Sequence, residues 1–157
     1  MNLNKFIANN ISESDEVLDV GSGDKSNQSF KCSKIISIDA WEKVNPDVLV
    51  DLNKENIPFD PNSFDVVLMI DFIEHLEKEN GRLRIKEAIE IARKKVILLT
   101  PLWWDDNKDN TENSNLWCYN NPYNYHKSLW TIKDFDGWME IEGIDGLNNY
   151  FLGTYSK

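Results

Sequence analysis

Two cysteines, two histidines and no apolar run longer than Val66–Ile70 occur in the 157 residues of this chain. Such a run is far too short for a bilayer, which needs about 20 apolar residues, so no membrane partner is expected. Cys32 and Cys118 lie far apart, without metal-ligand spacing, and read as reduced thiols of a cytoplasmic protein. The opening MNLNKFIANN lacks a basic start followed by a long apolar stretch, so no export signal is expected. Cations are in deficit: 17 Lys and Arg stand against 27 Asp and Glu, a net charge of −10. Neutralising nucleic-acid phosphates requires a basic patch, and the densest basic stretch is Arg93-Lys94-Lys95, so no nucleic-acid partner is expected. Internal repeats and low-complexity segments are absent, and nothing signals an oligomeric state.

What is present is enough for one packed core. Hydrophobic residues make up 41% of the chain, and the length fits a single domain over residues 1–157. Leu3, Phe6, Ile7 and Ile11 recur at helical spacing. Strands are predicted at 16–20, ending in the glycine turn Gly21-Ser-Gly23, at 34–39 and at 47–50. A further strand, 64–70 (FDVVLMI), is so continuously apolar that both its faces should be buried, as in the centre of a parallel sheet. The pattern turns helical over 73–94, with Gly81 as a break or a late start, and a strand at 95–100 stops at Pro101. Residues 102–127 are irregular, aromatic and acidic. Ser128 is expected to cap a helix to about Trp138, with Asp134 as the capping acid, and strands at 139–144 and 150–155 close the chain. The expected fold is α/β: a Rossmann-like, mostly parallel seven-stranded sheet with helices interleaved early and lying on both faces, its last strand antiparallel.

In such sheets ligands bind beyond the carboxyl ends of the strands, where the strand order reverses. Four predicted strand ends carry matching chemistry. The first ends in Asp19-Val-Gly-Ser-Gly23, where glycines admit close backbone approach. The second ends in Asp39, which can accept both hydroxyls of a ribose. The third ends in Asp51-Leu52 and the fourth in Asp71-Phe72.

The stretches VLDVGSGD (17–24), SIDA (37–40), VDLNKENIPF (50–59), SFDVVLMIDFIEHL (63–76) and KVILLTP (95–101) resemble successive motifs of class I methyltransferases that use S-adenosylmethionine (SAM). The likeness is nearest to their small-molecule group. It implies that Asp19, Gly21, Ser22 and Gly23 shape the pocket for the methionine portion of SAM, that Asp39 holds the ribose and that Ala40 and Trp41 lie beside the adenine. By the same likeness Asp51 and Leu52 bond the adenine, and Asp71 and Phe72 line the methionine side. The activity implied is methyl transfer from SAM to a small-molecule acceptor by in-line displacement. Two departures stand out: the family's third turn glycine is replaced by Lys25, and the link from Trp41 to Pro46 is too short for a full helix.

Candidate bases are the two histidines, His75 in IEHL and His126 in YNYHKSLW, each with a structural alternative as a helix-start or packing residue. The aromatic segment 101–130 reads either as a lid over the acceptor or as a loop folded back on the sheet. Asp105, Asp106, Asp109 and Glu112 read as a solvated loop tip, and no metal site is expected. A dinucleotide site on the same fold is disfavoured, because G-x-G-x-x-G fails at Ser26 and Asp24 would repel a pyrophosphate. A non-catalytic SAM-binding or interaction module with a methyltransferase-like fold remains the alternative function.

Overall fold

The computed structural model describes residues 1–157. Helix α1 (Leu3–Asn9) is capped by Asn2, whose side chain accepts from the Lys5 N–H at 2.9 Å, and it buries Phe6 and Ile7. Strands β1 (Glu16–Val20), β2 (Lys34–Asp39), β3 (Val48–Leu49) and β4 (Phe64–Ile70) follow, then helix α2 (Lys78–Ile91) and strand β5 (Ala92–Pro101). A single helical turn α3 (Lys108–Thr111) lies in the long loop, and β6 (Met139–Glu140) and β7 (Tyr150–Ser156) end the chain.

The seven strands lie in the order β3-β2-β1-β4-β5-β7-β6. Strands β1 to β5 pair in parallel, whereas β7 runs antiparallel between β5 and β6, as expected for the last strand. Alternation along β4 assigns its side chains to two cores. Val67 and Met69 face the α2 side with Leu18, Ile91 and Leu98, while Val66, Leu68 and Ile70 face the α1 side with Ile7, Val17 and Leu99. Every residue of β4 is buried, which accounts for its apolar run from Val66 to Ile70. Strand order reverses between β1 and β4, so the ends of these two strands mark the switch point of the sheet. No helix is long and apolar enough to cross a membrane.

Several predicted elements change form. The links 21–33 and 50–63 hold turns and no helix, so the helices are not interleaved early; a 3-10 turn at Glu42–Val44 joins β2 to β3, and α2 is the one α-helix between neighbouring parallel strands. Polar side chains there bind local backbone instead, as Asp24 does with the Ser26 N–H at 3.1 Å and Asp51 with the Asn53 N–H at 3.0 Å. The helix expected over 73–94 divides into a 3-10 turn at Ile73–His75 and α2, and β5 begins at Ala92. Gly81 lies inside α2 without breaking it: a Cβ there would meet Trp130 Cζ2 at 2.5 Å, so glycine is required for the packing. The helix expected from Ser128 to Trp138 shrinks to a 3-10 turn at Ile132–Phe135, capped by Thr131 with Asp134 in a capping box. Ser128 is occupied elsewhere, donating to the Ile73 carbonyl at 3.3 Å and accepting from Trp130 Nε1 at 2.9 Å. The strand at 139–144 keeps only two residues, because the chain turns away after Ile141 donates to the Leu152 carbonyl at 2.8 Å.

Candidate functional site

The chain leaves β1 through Gly21 and Gly23, both left-handed with φ of +71° and +50°. A Cβ on Gly21 would fall 2.2 Å from Phe72 Cδ2, and one on Gly23 would fall 2.9 Å from Trp117 Cη2. Side chains are therefore excluded from this bend by both backbone angle and space. Its amides point back at β2: Gly21 and Ser22 donate to the Ile38 carbonyl at 2.8 and 3.1 Å. Gly23 donates to Asp39 Oδ2 at 3.0 Å, and Trp41 donates to Asp39 Oδ1 at 2.9 Å. Each oxygen of Asp39 is thus oriented by one amide and keeps acceptor capacity toward the cleft.

That cleft, about 620 Å³ with its open mouth, runs along the carboxyl edge of the sheet. Gly21, Gly23, Asp39, Ala40, Asp51 and Leu52 line it, with Asp71 and Phe72 at the end of β4. Three residues singled out in the sequence lie elsewhere. Asp19 is 3% exposed, accepts from Gln28 Nε2 at 2.8 Å, and sits behind the glycine bend rather than on the cleft wall. Burial pushes its carboxyl up to about 6. Trp41 faces a shallow neighbouring hollow with Lys43, and Ser22 faces a second cleft.

The second cleft adjoins the first and shares Gly21, Gly23, Asp71 and His75 with it. It is about 1140 Å³ including its open side, and no Lys or Arg lines it. Asp71 occupies the left-handed region with φ +48°, an outlier of the kind that gathers at functional sites. It opens onto cleft solvent, yet the surrounding protein raises its carboxyl to about 6. Glu74 is fully buried and is raised well above the usual range, first by burial and then by the Asp71 carboxylate; Thr100 Oγ1 donates to it at 3.0 Å. His75 and His126 meet edge to face with centroids 4.8 Å apart. Burial, and then the neighbouring His126, pushes His75 down to about 4; burial also lowers His126. Both rings are therefore neutral near pH 7. Tyr150 is pushed up to about 12 by burial and by the Asp71 and Glu74 carboxylates.

The segment after Pro101 roofs both clefts. Trp117 spans the two, while Asn121, Tyr123 and Lys127 cover the first and Trp103, Asp105 and His126 the second. The roof has its own framework: Asn124 Nδ2 donates to Thr111 Oγ1 at 2.9 Å, and Asn107 Nδ2 donates to the Asn124 carbonyl at 2.8 Å. Its aromatics divide by burial. Trp130 is 1% exposed in the core, whereas Trp103, Trp104 and Trp117 remain exposed. Sequence reasoning missed Glu74, Asn121, Asn124 and Tyr150 as cleft residues, and held Trp117 only as one of the aromatics of the 101–130 segment. Only Glu74, beside His75 at the start of the predicted helix, carried a usable signal; the loop residues have no periodicity to betray them.

A family model described as a methyltransferase domain matches residues 18–99. No curated protein matches the chain. Among solved structures, the PH0226 protein of Pyrococcus horikoshii OT3 superposes with TM-score 0.65 at 15% identity, over 99% of this chain and 87% of that one. A SAM-dependent methyltransferase from Archaeoglobus fulgidus gives TM-score 0.65 at 13% identity, over 99% and 91% of the two chains. A proposed Zn-dependent alcohol dehydrogenase from Rhodobacter sphaeroides gives 0.70 at 12% identity, over 98% and 89%. At these identities the likeness shows a shared fold, and a fold alone does not assign chemistry.

Proposed function

The chain belongs to the methyltransferase-domain family, in its class I, and from that premise we propose that it binds SAM in the first cleft and transfers its methyl group to a small molecule in the second. One observation carries this reading: Asp39 and the Gly21–Gly23 bend stand on the same rim, joined by the Gly23–Asp39 hydrogen bond, with an open cleft between them and Asp71. SAM supplies an electrophilic methyl group on a sulfonium, which any aligned nucleophile can displace.

The residues present fit such a ligand. Asp39, held by two amides, offers its free lone pairs to vicinal ribose hydroxyls. Asp51 and the Leu52 backbone stand at the far end for an adenine, beside Ala40. The side-chain-free bend leaves room for the sulfur-bearing tail, and Asp71 presents a carboxylate toward its positive charge. Asp19 supports this wall from behind. The second cleft, rich in carboxyls and free of Lys and Arg, suits a neutral or cationic acceptor better than a polyanion. His75 and His126, both neutral, offer lone pairs rather than protons to what enters there. Holding acceptor and methyl group in line is the main catalytic device available to this chain.

Calorimetry with SAM tests the proposal. Wild type should bind with a micromolar Kd, and Asp39→Ala should weaken binding by on the order of 100-fold through loss of two charge-assisted contacts. Absence of binding at millimolar SAM, or an unchanged Kd in Asp39→Ala, would reject it.

A further inference from the structure

At the bottom of the second cleft, Glu74, His75 and His126 bring a carboxylate oxygen and two ring nitrogens within 4.8 Å of one another. We propose that these three side chains hold one divalent first-row transition-metal ion, and that this ion binds a hydroxyl oxygen of the methyl acceptor; the second statement rests on the methyl-transfer reading above. Sequence spacing hides this set, because His126 is remote in the chain from the Glu74-His75 pair.

The donor chemistry suits such an ion. Two imidazoles and one carboxylate form a recurrent ligand set that leaves coordination positions free for substrate. Ligand bonds of about 2.0–2.2 Å place neighbouring donors roughly 3–3.5 Å apart, so the observed spacing closes with side-chain rotations of about an ångström. One of these donor atoms has no partner within the protein. His75 Nδ1 is buried with no hydrogen-bond partner, and an orphaned buried acceptor calls for an occupant. Asp71, Glu74 and Asp105 contribute carboxyls to the cleft, and no protein cation answers them.

The frame around the cluster holds its members in place. Thr100 Oγ1 fixes one oxygen of Glu74 at 3.0 Å. The Glu74 carbonyl accepts from the amides of Lys127 and Ser128 at 2.8 and 3.2 Å, which ties the strand end to the loop carrying His126. The His126 amide in turn donates to the Asp106 carbonyl at 3.1 Å. Two distant segments are thus joined beside the three donors.

The ion would act as a Lewis acid. It lowers the pKa of the bound hydroxyl, whose proton leaves to cleft water. An oxygen lone pair then forms the new O–C bond to the methyl group, and the C–S electron pair returns to sulfur. The oxidation state of the metal is unchanged. The acceptor class implied is an alcohol or a phenol.

Chelator-treated full-length protein, titrated with Co²⁺ and followed by calorimetry and visible absorption, tests the site. Wild type should take up one Co²⁺ per chain with ligand-field bands of a nitrogen-ligated ion. Glu74→Gln, which keeps the shape and the Thr100 contact, and His126→Ala, at a half-buried position, should each weaken uptake by at least about 100-fold with circular dichroism unchanged. If Glu74→Gln fails to fold, His126→Ala decides alone. No stoichiometric uptake, or wild-type affinity in a folded variant, overturns the proposal. Asp39→Ala separates the two readings: it should weaken SAM binding and keep Co²⁺, so an ion site in a wild type that does not bind SAM would sink the methyl-transfer reading and the acceptor role with it, and leave the ion site standing.

Discussion

The two edges of the sheet carry acids on the same strands and treat them in opposite ways. At the amino edge, Asp65 accepts from the Glu16 amide at 2.9 Å and from Arg93 Nε and Nη2 at 3.1 Å, with Lys94 at 3.3 Å. Lys94 also pairs with Asp15, and Arg93 with Glu16. Guanidinium and ammonium together hold the Asp65 carboxyl far below the usual range. At the carboxyl edge, burial raises Asp19 and Glu74, the surrounding protein raises Asp71 at the cleft mouth, and the cleft beside the last two holds no Lys or Arg. Left-handed turns occur at both edges, at Asn62 before β4 and at Gly21, Gly23 and Asp71 after β1 and β4, but only the latter border a cleft. One edge satisfies its charges within the chain and serves stability. The other keeps lone pairs, charge and bends open to a ligand, as catalytic edges do.

The largest way to break this contrast is to remove the anchor that keeps the open edge roofed. Trp130 is 1% exposed, stacks on Phe135 with centroids 5.8 Å apart, lies beneath the Lys78 ammonium and fills the notch at Gly81. Trp130→Ala should cost about 3–5 kcal/mol in urea unfolding. Hydrogen exchange should quicken over residues 116–127 while the amino edge keeps its protection. A loss below about 1 kcal/mol would mean that the roof is a free flap, and that burial at the carboxyl edge does not depend on it.

How far the contrast was legible in the sequence follows from the same physics. Strands β1 to β5 announce themselves through short apolar runs, longest in β4 from Val66 to Ile70 where both faces are buried, and the acids that close β2, β3 and β4 stand out against those runs. Asp39, Asp51 and Asp71 were therefore readable, as was the antiparallel β7 from its short link. Asp19 was found but set on the wall, because sequence does not tell a residue lining a cleft from one supporting it. The Thr131 cap escaped, since Ser128 has the same capping chemistry and only the packing of Trp130 claims its hydroxyl. Glu74 with His126, and Arg93 with Asp65, are contacts between distant segments, for which local periodicity has no signal. The helices expected after β1 failed to form because Ser, Asn and Asp side chains there satisfy the backbone in turns.

A smaller effect, opposite in sign to most core substitutions, should come from Asp19→Asn. A buried acid whose folded value is near 6 binds its proton more tightly folded than unfolded, where about 3.9 applies. Its contribution therefore falls as pH rises from about 4 to 6 and stays as a fixed penalty above. Asn keeps an oxygen for Gln28 and removes the penalty, so the variant should be more stable than wild type by about 2 kcal/mol at pH 8 and equal to it near pH 4. His75, lowered to about 4, imposes the reverse slope between roughly pH 4 and 6.5, but it does so in both proteins and cancels in the difference. Thermal unfolding of both proteins across this range reads the effect. A variant destabilised equally at both ends would show Asp19 to be a packing residue whose charge is immaterial.

The smallest effect belongs to the satisfied edge and has the opposite pH sign. Because the folded Asp65 value lies below the ordinary one, its contribution is complete above about pH 4 and is lost as pH falls below that toward the folded value. Arg93→Gln removes the first cause of that depression, so Asp65 protonates nearer its ordinary value and the acid unfolding limb moves to higher pH. Lys94 stays within 3.3 Å and preserves part of the shift. The Arg93 side chain is 36% exposed, so salt screens the pair and the gap between variant and wild type should narrow at high ionic strength. Acid titration at low and high salt, followed by tryptophan fluorescence, measures both effects. Superimposable acid limbs would mean that the amino edge gains nothing from its ion pairs, and the two edges would then differ in burial alone.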